Sequence, residues 1–404
     1  MTAREREHRP SLLAVVSLAV ISHTAFTAGR MTVSLAAIQL KAPTWIVGLL
    51  LSLYALLPMV MSVSAGRWID RVGTRGPMLL GAILLGVGFV VPAAWMSLPA
   101  LYVNSCFVGV GFLLFHLSVQ KLTGELGDGP DRMRNFGLLA VGFSISAFCG
   151  PIVAGVLIDR AGHGVSFGAS FAASTVLIAV AFALLKWRWR FSGRSLVHPG
   201  ERPIDTRLLD LLRTPELRRL YVAVVLISTS WDIFTFLTPI QGSRIGLSAS
   251  QIGVVLGAFA AATFVVRAAL PLIVRRFTEW QLIGLVQVVA ALVYVAFPLV
   301  GSHHGLVALA FVLGLGLGVG QPAVMSVLHR VAPPGRVGEA VGLRMTLINA
   351  TQTVLPVTFG SAGSVLAVFF AGNLVFAPLF WGVAALAGAG GISALRHRER
   401  APNA

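Results

Sequence analysis

The chain has 404 residues, of which 56% are hydrophobic and only 11% charged, with a mean hydropathy of +0.85. A soluble protein averages about a quarter charged residues, so this composition excludes a water-exposed globule and places the chain in a bilayer. The 31 Lys and Arg against 15 Asp and Glu, a formal charge of +16, invite a nucleic-acid partner, but their distribution assigns them to membrane topology and no nucleic acid is expected.

A membrane-spanning helix needs roughly 20 mostly apolar residues. In chain order such runs occur at 12–37, 45–65, 77–95, 100–121, 136–158, 165–186, 219–242, 250–274, 281–301, 305–328, 338–362 and 364–392. They are long and unbroken, unlike the short alternating segments of a transmembrane barrel. The expected class is therefore all-α integral membrane, with twelve transmembrane helices. The first run follows Arg4, Arg6 and Arg9 as a signal peptide would, but it outlasts a short h-region and is expected to be retained. Cys106 and Cys149 lie inside apolar runs and read as small core residues.

With an even number of spans both termini share a side. The N-terminus, the connections after spans 2, 4, 6, 8 and 10, and the C-terminus hold 25 of the 31 basic residues, while the opposite connections hold Lys41, Arg160 and Arg244. The positive-inside bias makes both termini cytoplasmic, in a bacterial-type inner membrane. Between Trp187 and Pro215 the chain turns polar. The expected division is a six-helix bundle at 1–186, a cytoplasmic linker at 187–217 and a second six-helix bundle at 218–404.

A shift of 205 residues brings the halves into register: Gly48 falls on Gly253, Arg71 on Arg276, Gly109 on Gly314, Gly111 on Gly316, Gly137 on Gly342, Pro151 on Pro356 and Gly155 on Gly360. A constant offset over four spans points to a duplicated six-helix unit, the parallel repeat of one transporter class. The run "GLGLGVG" at Gly314–Gly320 lies inside an apolar span rather than after a strand, so it reads as close helix packing and not as a nucleotide loop.

The stretch "GRWIDRVGTRG", Gly66 to Gly76, is expected as the cytoplasmic loop between spans 2 and 3, turned by Gly66 and Gly73. It resembles the loop signature of the major facilitator superfamily through Gly66, Asp70, Arg71, Gly73 and Arg75, with Trp68 at the usual Leu position and Thr74 at a frequent Arg position. "SAFCGPIVAG" in span 5 resembles the antiporter signature of that superfamily through Gly150, Pro151 and Gly155, with Ser146 and Ala154 in place of glycines. The resemblance implies the superfamily fold of two six-helix halves rocking about a midplane site. It also implies that Asp70 faces the start of span 11 near Gly338, and that Asp70, Arg71, Arg75, Gly150 and Pro151 govern conformation. Plain helix packing is the other reading of the span 5 signature. Ser105 stands where many proton-coupled members carry an Arg four residues before Gly109.

Ionisable residues within spans are costly and mark pathways or interhelical ties. Arg30 lies in span 1, Asp232 in span 7, Arg267 in span 8 and Arg344 in span 11. His23, Thr27 and Arg30 share one helix face, and the offset puts Ser228, Asp232 and Thr235 on the matching face of span 7. The candidate substrate-binding residues are His23, Arg30, His116, Asp232 and Gln321, with Asp232 also the proton carrier. A structural ion pair with Arg30 or Arg267 is the alternative for Asp232. Arg267 and Arg344 read as conformational locks, with substrate contact as the alternative, and His116 and Gln321 could equally be hydrogen-bonded core groups. Metal-ligand spacing and catalytic constellations do not appear, so an enzyme, a metal and a cofactor are not expected.

Three arginines against one aspartate within the spans favour a small organic anion or an amphipathic solute. The expected function is secondary active transport, with proton-coupled efflux by alternating access. Import or facilitated passage of an organic anion is the alternative, and a non-transporting membrane sensor is the alternative of another class. The expected partners are a small-molecule substrate, protons and the lipid bilayer, with the protein a monomer. The topology makes one outcome directly measurable. A cysteine placed at Ser195 should resist an impermeant thiol reagent in intact cells and react in inverted vesicles; ready labelling in intact cells would reverse the orientation.

Overall fold

The computed structural model describes residues 12–126, 130–186, 208–333, 337–369 and 372–396. Among them the helices are α1 (Leu12–Gln39), α2 (Thr44–Val72), α3 (Arg75–Ala94), α4 (Leu98–Glu125), a continuous segment Pro130–Lys186, α7 (Pro215–Arg244), α8 (Ala249–Ile273), α9 (Glu279–Ala296), α10 (His303–Val331), α11 (Val337–Phe369) and α12 (Ala377–Leu395). Within Pro130–Lys186, Gly162 has φ 85° and ψ 173°, a left-handed conformation that a side chain would oppose. It separates α5 (130–161) from α6 (163–186). No strand occurs among the described residues, and eleven helical segments are long and apolar enough to cross a membrane, one of them the 46-residue Asn135–Val180 that Gly162 breaks in two. The chain is an all-α, multi-pass membrane protein.

Local chemistry sets where these helices begin. Ser97, Thr278 and Ser302 precede α4, α9 and α10, and each hydroxyl accepts a backbone N–H of the first turn, from Ala100, Gln281 and Gly305 respectively. Such caps satisfy donors the helix itself leaves open. At α9 Gln281 reciprocates onto the Thr278 N–H, completing a capping box.

The end of α2 departs from expectation. The stretch from Gly66 to Val72 is helical, and the turn is confined to Gly73, with φ 83°, and Thr74. The Gly73 N–H bonds the Ile69 carbonyl at 2.9 Å, which closes the last turn. Charged side chains do not stop a helix, since its backbone bonds are internal; a left-handed glycine does. Gly66 is therefore no turn residue. Arg71 is exposed on the last turn and Arg75 opens α3. The Asp70 side chain and the linker residues 187–207 lie outside what the structure describes, so the expected approach of Asp70 to the start of span 11 near Gly338 does too.

The chain divides into two compact units, Met1–Glu201 with Ser248–Gly257, and Arg202–Leu247 with Ala258–Ala404. In the first, α1 lies against α5 and α6, where Thr32 and Ser166 hydroxyls meet at 2.8 Å, and the Tyr54 hydroxyl of α2 donates to Asn104 of α4 at 2.5 Å. Asn104 in turn donates to the Gly88 carbonyl of α3. The start of α8 joins this unit for a polar and a steric reason. Asp159, at the end of α5, accepts the N–H groups of Ala249 and Ser250 at 2.9 and 2.8 Å, an anion against a helix N-terminus. A Cβ on Gly155 or Gly253 would sit 2.3 or 2.4 Å from a backbone carbonyl of the facing helix. In the second unit α7 packs on α11, and α9 lies between α10 and α12.

The two units repeat the same contacts at the 205-residue offset. Gly109 faces the Tyr54 carbonyl and Gly314 faces the Phe259 carbonyl; Gly111 packs on Leu84 and Gly316 on Val289. The Phe26 ring meets Tyr54 edge-on, and Trp231 meets Phe259 in the same way. The duplication is therefore present in packing as well as in sequence. The "GLGLGVG" run is part of it, since Gly314 and Gly318 let α10 close on α8.

Because added Cβ atoms at Gly109 and Gly314 would lie 2.8 and 2.3 Å from those carbonyls, Gly109→Ala and Gly314→Ala should each destabilise by about 1–3 kcal/mol through overpacking. Gly382, exposed and with nothing within 4 Å, should tolerate Ala or gain stability of up to about 1 kcal/mol from helix propensity. Thermal unfolding in detergent separates the two responses, and equal effects at all three positions would contradict the packing argument.

Candidate functional site

In the first unit the polar face of α1 carries an aromatic cluster. His23, Phe26, Thr27 and Arg30 stand at helical spacing on α1, Phe112, His116 and Gln120 on α4, and Phe143 on α5. Phe26 and Phe112 stack with ring centroids 4.0 Å apart and planes 19° off parallel. His23 lies 5.0 Å from Phe143 and 5.7 Å from Phe112, and His116 lies 5.0 Å from Phe143 and 5.1 Å from Phe112. The His116 Nε2 and Gln120 Nε2 atoms are 2.7 Å apart. The Arg30 guanidinium sits 5.9 Å from the Phe26 ring centre, at the outer limit of a cation–π contact. His23, His116 and Arg30 therefore gather around one set of rings, half-buried rather than sealed in the core. Such a surface suits a planar, partly apolar ligand with a hydrogen-bonding or anionic edge.

Thr27 points from this cluster toward α5. Its hydroxyl reaches the Ser146 carbonyl at 3.3 Å, and a Cβ at Gly150 would meet the Thr27 Oγ1 at 2.0 Å. The antiporter-like signature thus has two faces: Ser146 and Gly150 admit α1, while Pro151 and Gly155 admit the start of α8.

In the second unit the positions equivalent to Thr27 and Ser146 are Asp232 on α7 and Thr351 on α11, and these also touch. The Thr351 hydroxyl is 3.0 Å from Asp232 Oδ2, donating to it or to the Ile348 carbonyl at 2.7 Å. Asp232 is 5% exposed. The same two helix positions meet in both units by different atoms: Thr27 donates to the main-chain carbonyl of Ser146, whereas the Asp232 carboxylate faces the side-chain hydroxyl of Thr351. Nearby, Arg344 donates to the Gln321 amide oxygen, joining α11 to α10, and Arg267 Nε donates to the Gly318 carbonyl, joining α8 to α10. Gln321, Arg344 and Arg267 thus sit in helix-to-helix ties. The Tyr294 hydroxyl donates to the Ser230 carbonyl and ties α9 to α7. The structure brings His23, Arg30 and His116 together in one unit, and Asp232, Gln321, Arg267 and Arg344 all belong to the other.

Phe26, Phe112, Phe143 and Thr351 were missed by sequence reasoning. Phe26 stands three residues after His23 and Phe112 four before His116, so helical spacing from the polar candidates was an available signal. Thr351 was available through the 205-residue offset, once Thr27 and Ser146 were known to meet.

Comparison with known proteins agrees with this architecture. The chain is 27% identical over 353 residues to a class C tetracycline resistance protein of Escherichia coli, covering 84% of this chain and 83% of the relative. It is 26% identical over 321 residues to a class G tetracycline resistance protein of Vibrio anguillarum, covering 77% and 79%. A solved nucleoside transporter shares the fold with a TM-score of 0.79 at 12% identity, covering 95% of this chain and 100% of that one. The family profile described as Major Facilitator Superfamily matches residues 13–356. The spans, the repeated packing and the profile converge: this chain belongs to the major facilitator superfamily, a family of membrane transporters.

Proposed function

We propose that the protein is a proton-driven exporter of planar amphipathic or anionic compounds, acting by alternating access across a bacterial-type inner membrane with both termini cytoplasmic. The observation that carries the reading is the buried Asp232 carboxyl, in contact with Thr351, at the repeat position where the first unit has Thr27. A hydroxyl is sufficient to hold two helices together, so packing alone does not account for a buried acid. A carboxyl adds a proton that can be taken up or released, and its proton affinity changes when hydration of the site changes. The relatives named for tetracycline resistance support efflux as the direction and supply the first compounds to assay.

In this reading the Phe26, Phe112 and Phe143 rings hold the apolar face of the substrate, His23 and His116 present hydrogen-bonding edges, and Arg30 takes an anionic group. Asp232 loads and unloads the proton, and Thr351 orients it. Arg267, Arg344 and Gln321 hold α8, α10 and α11 in register, while Gly150 and Pro151 set the approach of α5. Asp70, Arg71 and Arg75 bias the conformational equilibrium. Ser105 stands in the place of the frequent coupling arginine, so the proposed coupling rests on Asp232 alone among the candidate residues that are acids.

Asp232→Asn should abolish substrate movement driven by a pH gradient in proteoliposomes while sparing counterflow of substrate down its own gradient. Retained gradient-driven transport by folded protein would remove Asp232 from the mechanism. Thr351→Val should shift the pH profile of transport and Thr351→Ser should keep it, a difference that simple loss of stability does not produce.

Arg30→Gln should weaken an anionic ligand by roughly 10-fold or more, as expected for a hydrogen bond to a charged group worth about 1.5–3 kcal/mol, and a neutral analogue much less. Arg30→Lys should recover only part of the loss, since an ammonium lacks the planar fork. Equal weakening of anionic and neutral ligands would make Arg30 structural.

A further inference from the structure

A second site lies in the C-terminal unit, away from the residues discussed above. The beginnings of α7 and α9 and the end of α12 enclose a cavity of about 220 Å³, lined among others by Arg218, Arg219, Trp280, Gln287, Gly390 and Ser393. At ~30 Å³ per water it has room for about seven waters, enough for a glycerophosphate-sized group but not for a whole phospholipid.

Its chemistry is graded along the helix axes. Arg218 and Arg219 are exposed on the first turn of α7, and Trp280 lies beside them at the start of α9, the level at which tryptophans gather at a membrane surface. Gln287 is seven residues further along α9, about 10 Å deeper at 1.5 Å per residue. It is 1% exposed, and neither its Nε2 nor its Oε1 has a hydrogen-bond partner. A buried amide without partners is costly, and a ligand group that pairs with it removes that cost. The neighbouring helix leaves room for it: a Cβ on Gly390 would lie 2.2 Å from the Gln287 Oε1. The gradation therefore runs from two cations at the mouth to a buried donor and acceptor in the apolar layer.

We infer that this cavity binds one anionic phospholipid of the surrounding bilayer. Its phosphate lies at Arg218 and Arg219, and an ester carbonyl accepts from the Gln287 Nε2. A free phosphate meets the arginines but leaves the amide unpaired. A zwitterionic lipid of the same chains meets the amide, but its own ammonium offsets the attraction of the arginines. Basic pockets between spanning helices are known to take anionic headgroups. Gln287 supplies the second, deeper contact that a surface charge pair lacks.

Native mass spectrometry of the full chain, delipidated and then given phosphatidylglycerol or phosphatidylcholine with identical chains, tests this. The wild type should retain phosphatidylglycerol several-fold better and gain thermal stability from it. The double variant Arg218→Gln, Arg219→Gln should retain both lipids equally. Gln287→Leu should lower retention of both while raising the melting temperature of the delipidated protein. Ser393→Phe, at an exposed position of the mouth, should block retention without touching either arginine, which keeps the test open if the Gln287 variant folds poorly. Millimolar inorganic phosphate should give no protection. Equal protection by phosphate would mean a site for soluble anions, and an unchanged lipid preference in the double arginine variant would overturn the assignment.

Discussion

The close approach of backbones at glycines is the constraint on which the rest depends. In lipid, apolar side chains gain little by leaving one hydrocarbon environment for another, so helices associate through packing and interhelical hydrogen bonds. Gly109 against the Tyr54 carbonyl, Gly314 against the Phe259 carbonyl, and Gly155 and Gly253 against each other's helices set the interaxial distances in this chain. The polar contacts between helices described above form at such close approaches. Thr27 reaches Ser146, for example, because Gly150 lets α1 come close.

That dependence explains how the aromatic cluster and the buried acid came to occupy related places. A duplicated unit begins with the same glycines, the same proline and the same ring contacts, and its two copies can then diverge where packing does not fix the side chain. His23 against Ser228, Thr27 against Asp232, and His116 against Gln321 are such positions, whereas Gly109 against Gly314 is not. At those positions the first copy holds two histidines and a threonine, and the second a serine, an aspartate and a glutamine. The proposed division into substrate recognition and proton handling follows that divergence.

Much of this was legible in the sequence because membrane solvation imposes long apolar runs and the repeat imposes a fixed offset. The twelve spans, the packing role of Gly314–Gly320 and the burial of Asp232 all rest on those two regularities. What escaped has a physical reason in each case. Phe26, Phe112 and Phe143 are apolar residues in apolar helices, and composition does not separate a ring facing a site from one facing lipid. Asp159 stood at the end of a span, where a charge needs no special account, and its partners are the backbone N–H groups of Ala249 and Ser250, which leave no trace in side-chain identity. The helical state of Gly66–Val72 was hidden because polarity marks the membrane boundary and not the end of the helix.

The continuation of α2 beyond the apolar layer has a mechanical consequence. With 29 residues the helix is about 43 Å long, well over the ~30 Å of hydrocarbon, and Pro58 interrupts its bonding partway along. The 14 residues that follow Pro58, up to Val72, form an arm of about 21 Å with Arg67 and Arg71 toward its far end. A bend of about 10° at the proline, small against the range of tilts seen in spanning helices, sweeps that end through about 4 Å. The charged signature thus rides on a stiff lever, and a slight flexure within the bilayer is magnified where the arginines meet water.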